Sequence, residues 1–284
     1  MVASLLVLAL ASMSAATFIN VLNDTFQDLS NWKMMVRYSV NSGNKEWQYY
    51  TNRSNNVYIT QVNGQNALIL KAIQENYLGA NFTSGRVYSA SSWGPYGFFN
   101  VKAIVPKGNG IWPAIWLLPP NSRSIYGNWA ACGEIDIMET ICTNTAGYAT
   151  LHFGGESPNT ASAPSNNTYP FIADWSNAHW YGVDWQPTYM SFWYDAQIVN
   201  GVITGGNLIS SISSSSWYSV NTTTGQRYPG NAPFDTPFNI VLNVAVGGTW
   251  PCSRPGCCSN IAAPAQMTVF NVQVWQNAQS EDQL

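Results

Sequence analysis

Charge is the scarcest property of this chain: Asp, Glu, Lys and Arg make up 9% of its 284 residues, against roughly 25% in an ordinary soluble domain. The formal net charge is −3 and no basic run occurs, which argues against nucleic acid or an anionic membrane as partner. His152 and His179 are the only histidines, so a zinc site is not expected. Beyond the N-terminus no stretch is long and apolar enough for a membrane helix, which needs about 20 residues. No window sustains a 3.6-residue apolar period of helical length, which argues against an α-helical fold.

Asn, Ser, Thr, Gln and aromatic residues stand in place of the missing charge, with 13 Trp and 15 Tyr. Hydrophobic residues make up 46% of the chain, enough to bury one large core, and a domain of about 250 residues suits a β-sandwich or barrel. Extracellular proteins that handle neutral sugars have this composition, because sugar rings stack on aromatic faces. A secreted all-β protein with an aromatic core has it equally.

The first sixteen residues, MVASLLVLALASMSAA, are apolar and end in small residues. They are too short to span a bilayer comfortably and are expected to be a signal peptide, with Ser14 and Ala16 at the cleavage positions and Thr17 near the mature start. A secreted, extracellular protein follows, with residues 17–284 as one domain. Sequons for N-glycosylation begin at Asn23, Asn52, Asn81, Asn166 and Asn221. The five cysteines, at positions 132, 142, 252, 257 and 258, leave at least one thiol without an intramolecular partner. Cys132 and Cys142 flank one apparent strand and would stand about 30 Å apart if it is straight. Either can bridge to the 252–258 loop.

Short strands are expected over 56–61, 67–73, 97–105, 111–118, 133–139, 149–153, 179–185, 189–194, 238–246 and 266–275. These stretches are rich in Val, Ile, Tyr, Phe and Trp and separated by Gly, Pro, Asn or Ser. They predict an antiparallel sandwich or jelly roll. The Ser-, Gly- and Thr-rich stretch 201–230 is expected to be a surface excursion.

The sharpest feature is the run GEIDIME at 133–139. Side chains alternate across a strand, so Glu134 and Asp136 share a face, and strict alternation would send Glu139 into the core. A buried, isolated carboxylate costs several kcal/mol. A one-residue bulge at Ile137–Met138 resolves the conflict by turning Glu139 to the acidic face. Retaining glycosidases need two carboxyls about 5–5.5 Å apart, a nucleophile and a general acid/base, and Glu134 and Glu139 supply the outer pair. Asp136 between them biases the proton count of the trio. A calcium site or an exposed acidic edge would use the same residues.

The stretch GEIDIMET resembles the bulged signature of glycoside hydrolase family 16, in its laminarinase-like endo-β-1,3-glucanase group. GIWPAIWLLP (110–119), ATLHFGG (149–155), YGVDWQ (181–186) and IVLNVAVGGTW (240–250) are similar to family segments in the same order. NKEWQYYTNRSNNVYI and FTSGRVYS upstream fit as well, so the resemblance covers roughly residues 20–276. It implies a concanavalin-like β-jelly-roll sandwich of two antiparallel sheets with a concave substrate cleft. It implies Glu134 as nucleophile, Glu139 as acid/base and Asp136 as their partner. Trp112 and Trp116 share strand parity and are expected to stack on sugar rings. His152 is expected near the cleaved bond and Arg86 on sugar hydroxyls, with Asn243 and Trp250 as further cleft candidates and His179 structural.

Many family members use an Asp in the terminal strand to help bind calcium. Here Phe270 holds that position, and a hard cation requires oxygen ligands, so no metal or other cofactor is expected. The loop YGNWAAC at 126–132 also departs from the family, where Trp-Pro is common; it is expected to border the cleft and alter subsite preference. The expected partner is β-glucan polysaccharide, handled by a monomer. Mixed-linkage glucan, galactan or cell-wall transglycosylation remain alternatives on the same fold. A glucan-binding relative without catalysis is the other class, but such relatives lose the acids that this chain keeps.

Overall fold

Alternating and continuous runs of Val, Ile, Leu, Phe and Tyr pair here into two large sheets. The computed structural model describes residues 17–40, 43–143, 146–157 and 164–278; the expected signal segment 1–16 lies outside them. The smaller sheet has seven strands, in the order Pro164–Ile172, Ala146–Gly154, Glu134–Glu139, Ile111–Leu118, Asn239–Val246, Arg86–Ser89 and Trp32–Met34. The larger has eleven, with Gly97–Ile104, Ala265–Asn277 and Gln65–Tyr77 at its centre. Neighbouring strands pair antiparallel, apart from Gln48–Tyr50, which runs parallel to Ala80–Ser84.

One core lies between the sheets. Leu68, Leu70, Phe99, Val101, Val183, Val272 and Val274 enter it from the larger sheet, and Ile115, Leu117, Ile135, Leu151, Leu242 and Val244 from the smaller. Fully burying each such side chain stabilises the fold by about 1.5–3 kcal/mol. A one-residue slip would turn a whole strand's core set outward, so register is firmly specified. This is the two-sheet jelly roll that the sequence implies.

Strands Ile111–Leu118, His179–Trp185 and Tyr189–Tyr194 begin and end where expected. Those expected over 67–73 and 149–153 are the centres of longer strands, Gln65–Tyr77 and Ala146–Gly154. The stretch 201–230 is not simply a surface excursion. Its Asn207–Ser213 strand pairs with Tyr189–Tyr194 at the sheet edge, and Trp217, Ser219 and Val220 are buried. The Ser219 hydroxyl donates to the Ala131 carbonyl at 2.8 Å, which ties this stretch to the loop before the acidic strand. Serine and glycine have weak strand preference, which hid the edge strand.

Cys142 bonds Cys257, Cys252 bonds Cys258, and Cys132 is a buried free thiol. Of the two flanking cysteines, it is Cys142 that reaches the 252–258 loop.

Candidate active site

The acidic strand carries the expected bulge. Against Ile111–Leu118, Met138 pairs with Ile115 and Asp136 with Trp116, leaving Ile137 as the extra residue. Against Ala146–Gly154, Asp136 pairs with Thr150 and Glu139 with Tyr148, so two residues oppose one. Ile137 and Met138 both point into the core, and Glu139 emerges on the face of Glu134 and Asp136. The turn into this strand rests on Gly133, at φ +82°, where a Cβ would stand 2.9 Å from both Pro233 and Phe234.

His152 stands opposite Glu134 on the next strand. Its Nε2 lies 3.2 Å from Asp136 Oδ2 and 3.9 Å from Glu134 Oε1. The Asp136 side chain is only 3% exposed, and its Oδ2 accepts no hydrogen bond from the described residues. Burial holds all three carboxyls above the usual carboxylate range. For Glu134 the charge of Asp136 adds to burial while His152 opposes it. Glu139 is pushed up to about 8 by burial and then by the charge of Asp136, with the Trp112 hydrogen bond and His152 pulling the other way. Glu139 therefore retains its proton near neutral pH and can donate it. Glu134, Asp136 and His152 also bring one donor atom each within 4.8 Å of one another, close enough to hold a cation. Phe270, on the terminal strand, packs in an apolar cluster with Ala67 and Ile69.

Trp116, Arg86 and Asn243 meet on adjoining strands of this sheet. The half-buried Trp116 donates from Nε1 to Asn243 Oδ1 at 2.8 Å, and the Arg86 guanidinium lies 4.6 Å over the Trp116 ring. Asn243 also faces Tyr50, whose hydroxyl donates to Glu46 Oε2 at 3.2 Å. Trp112 is at the site and 8% exposed, and its Nε1 donates to Glu139 Oε1 at 2.9 Å. Trp250, on the helical turn Thr249–Cys252, meets the rings of Trp112 and Tyr148 edge-on. His179 is remote, in the larger sheet, with Nδ1 2.7 Å from Asp195 Oδ2.

Three residues of the site were not singled out from sequence. The Trp129 ring packs 5.6 Å from the His152 ring, so the 126–132 loop does border the acids. Glu46 is buried, accepts from Gln48 Nε2 at 2.6 Å, and its negative charge contributes to raising Glu139. Tyr50, between Glu46 and Asn243, is buried as well. The segment NKEWQYYT carried the signal for Glu46 and Tyr50, but a lone acid among polar residues does not announce burial.

Residues 37–253 match Glycosyl hydrolases family 16. The chain is 33% identical over 273 residues to glucan endo-1,3-beta-glucosidase A1 of Niallia circulans, covering 89% of this chain and 36% of that protein. It thus spans about a third of that relative's length. It is 35% identical over 221 residues to a glucan endo-1,3-beta-glucosidase of Cryptopygus antarcticus, covering 75% of this chain and 74% of that one. Among solved structures, the laminarinase from Rhodothermus marinus superposes with a TM-score of 0.73 at 29% identity, covering 93% of this chain and 99% of its own. The match over most of the sequence and the shared fold lead to one conclusion: this chain belongs to glycosyl hydrolase family 16.

Proposed function

We propose that this chain is a secreted, retaining endo-β-glucanase that cleaves β-1,3-glucan of the laminarin type. The observation that carries this is the bulged strand, which presents Glu134, Asp136 and Glu139 on one face of the sheet. Glu139, protonated at neutral pH, gives its proton to the glycosidic oxygen. Glu134 attacks the anomeric carbon and forms a glycosyl-enzyme. Glu139, now a base, takes a proton from water, which releases the sugar with its β-configuration. Asp136 is the least exposed of the three; a proton held there leaves Glu134 as the anion.

The trio is assigned to proton and glycosyl transfer without a metal or cofactor; the closeness of His152 to both Asp136 and Glu134 supports an electrostatic role for it. Trp116, steadied by Asn243 and Arg86, is the stacking surface for a sugar ring. The names of the similar proteins support the β-1,3 linkage. Two disulfides support an oxidising, extracellular compartment, in line with the signal-like residues 1–16. Product analysis on laminarin, lichenan, agarose and carrageenan tests the substrate. Laminarin is expected to be cut fastest, to internal fragments; faster cleavage of another polymer would overturn the assignment.

A further inference from the structure

Glu139 is bordered by a small buried cluster separate from the main core: Trp112, Ile141, Cys142, Ala245 and Cys257, with Trp250 packed against it. Cys142 and Cys257 are bonded inside this cluster. Cys252–Cys258 closes the loop that begins at the helical turn carrying Trp250. The Trp250 ring meets Trp112 edge-on at 5.3 Å and Tyr148 at 5.5 Å, and Tyr148 is the register partner of Glu139. The backbone of Cys142 is tied to the entry of the Trp112 strand: its N–H donates to the Ile111 carbonyl at 3.1 Å, and its carbonyl accepts from Gly108 at 2.7 Å. The Gly110 N–H points at Cys257 Sγ from 3.4 Å. The indole is thus boxed on several sides, and its one polar atom is spent on Glu139.

We propose that Trp112 is a positioning residue for Glu139, and that the Cys142–Cys257 disulfide is the brace that holds its indole in place. This rests on the assignment of Glu139 as the acid/base. A tryptophan has few rotatable bonds, and one packed among rings and a disulfide presents its N–H with little freedom left to lose. The carboxylate that accepts it is fixed in orientation, which both proton transfers require. The donor also favours the ionised form of Glu139, against the other charges facing it. Those are Asp136 and Glu134 on its own strand and Glu46 from the segment before Gln48–Tyr50; His152, from the neighbouring strand, acts with the donor.

The test compares Trp112→Phe, the double variant Cys142→Ala/Cys257→Ala, and Glu139→Gln on laminarin across pH. Trp112→Phe keeps a ring but removes the N–H. It is expected to lower kcat about tenfold with KM unchanged, and to move the basic limb of the kcat profile up by about one pH unit. The double cysteine variant is expected to move the limb in the same direction by less. A raised KM with kcat and limb unmoved in Trp112→Phe would make Trp112 a sugar contact and overturn the proposal. A folded cysteine variant that loses only thermal stability, with its limb unmoved, would overturn the brace. If that variant does not fold, Trp250→Leu, which leaves both disulfides intact, must move the limb upward; an unmoved limb counts against the brace in the same way. Wild-type activity in Glu139→Gln would instead defeat the underlying assignment of Glu139, a result distinct from any of these.

Discussion

Ile137 and Met138 are consecutive in the chain, yet both side chains are buried in the core between the sheets. A regular strand would send one of them outward. Because neither goes, the next residue, Glu139, is delivered to the face that carries Glu134 and Asp136.

Deleting Met138 should remove the bulge and restore strict alternation, which leaves Glu139 on the face of Glu134 and Asp136. Activity on laminarin should therefore fall by less than the roughly 100-fold that loss of a general acid costs, while far-UV circular dichroism keeps its β-sheet signal. Met138→Ala keeps the bulge, so it should cost about 2–5 kcal/mol of stability and retain activity. A folded deletion variant as inactive as Glu139→Gln would mean that the surplus residue does more than set the face that Glu139 takes.

Burial that serves the reaction opposes the fold. Glu139 titrates from an ordinary 4.5 when unfolded to about 8 when folded, so between those values the folded protein binds more protons. Its contribution to stability is present below about pH 4.5 and lost as the pH rises toward 8. Glu139→Gln removes the titrating group. The melting temperature of the variant minus that of the wild type should therefore grow between pH 5 and pH 8, read by calorimetry. A difference that stays flat across this range would contradict the folded-state proton on Glu139.

His152 works against the raised values of Glu134 and Glu139. Without it both groups hold their protons more tightly, so His152→Ala should move the acidic limb of the kcat/KM profile to higher pH. The limb reports ionisation of the nucleophile. An unmoved acidic limb would show that His152 does not act on Glu134 electrostatically.

Much of this site was legible in the chain because its elements obey local rules. Alternation of Ile135 and Ile137 against Glu134 and Asp136, and the surplus residue before Glu139, announce both the strand and its bulge. Parity alone placed Trp112 and Trp116 on the same face. It could not tell that Trp250 and a disulfide close over Trp112 and leave Trp116 more open, because those contacts join residues more than a hundred positions apart. Glu46 and Tyr50 stayed hidden because the Gln48 side chain beside Glu46 is itself held by the Val246 N–H, from a strand remote in sequence. The edge strand Asn207–Ser213 is Ser-rich, and its pairing is decided by Tyr189–Tyr194 beside it.

The assignment of roles to the two glutamates is tested most directly by the anomer of an azide product. Glu139→Ala keeps the nucleophile, so a dinitrophenyl β-glycoside of laminaribiose, whose leaving group needs no proton, should still form the glycosyl-enzyme. Azide should then accelerate turnover and yield the β-glycosyl azide by proton NMR, because a small anion needs no general base. Glu134→Ala should give only the α-azide, by direct displacement. An α-azide from Glu139→Ala together with a β-azide from Glu134→Ala would contradict the account and exchange the two roles.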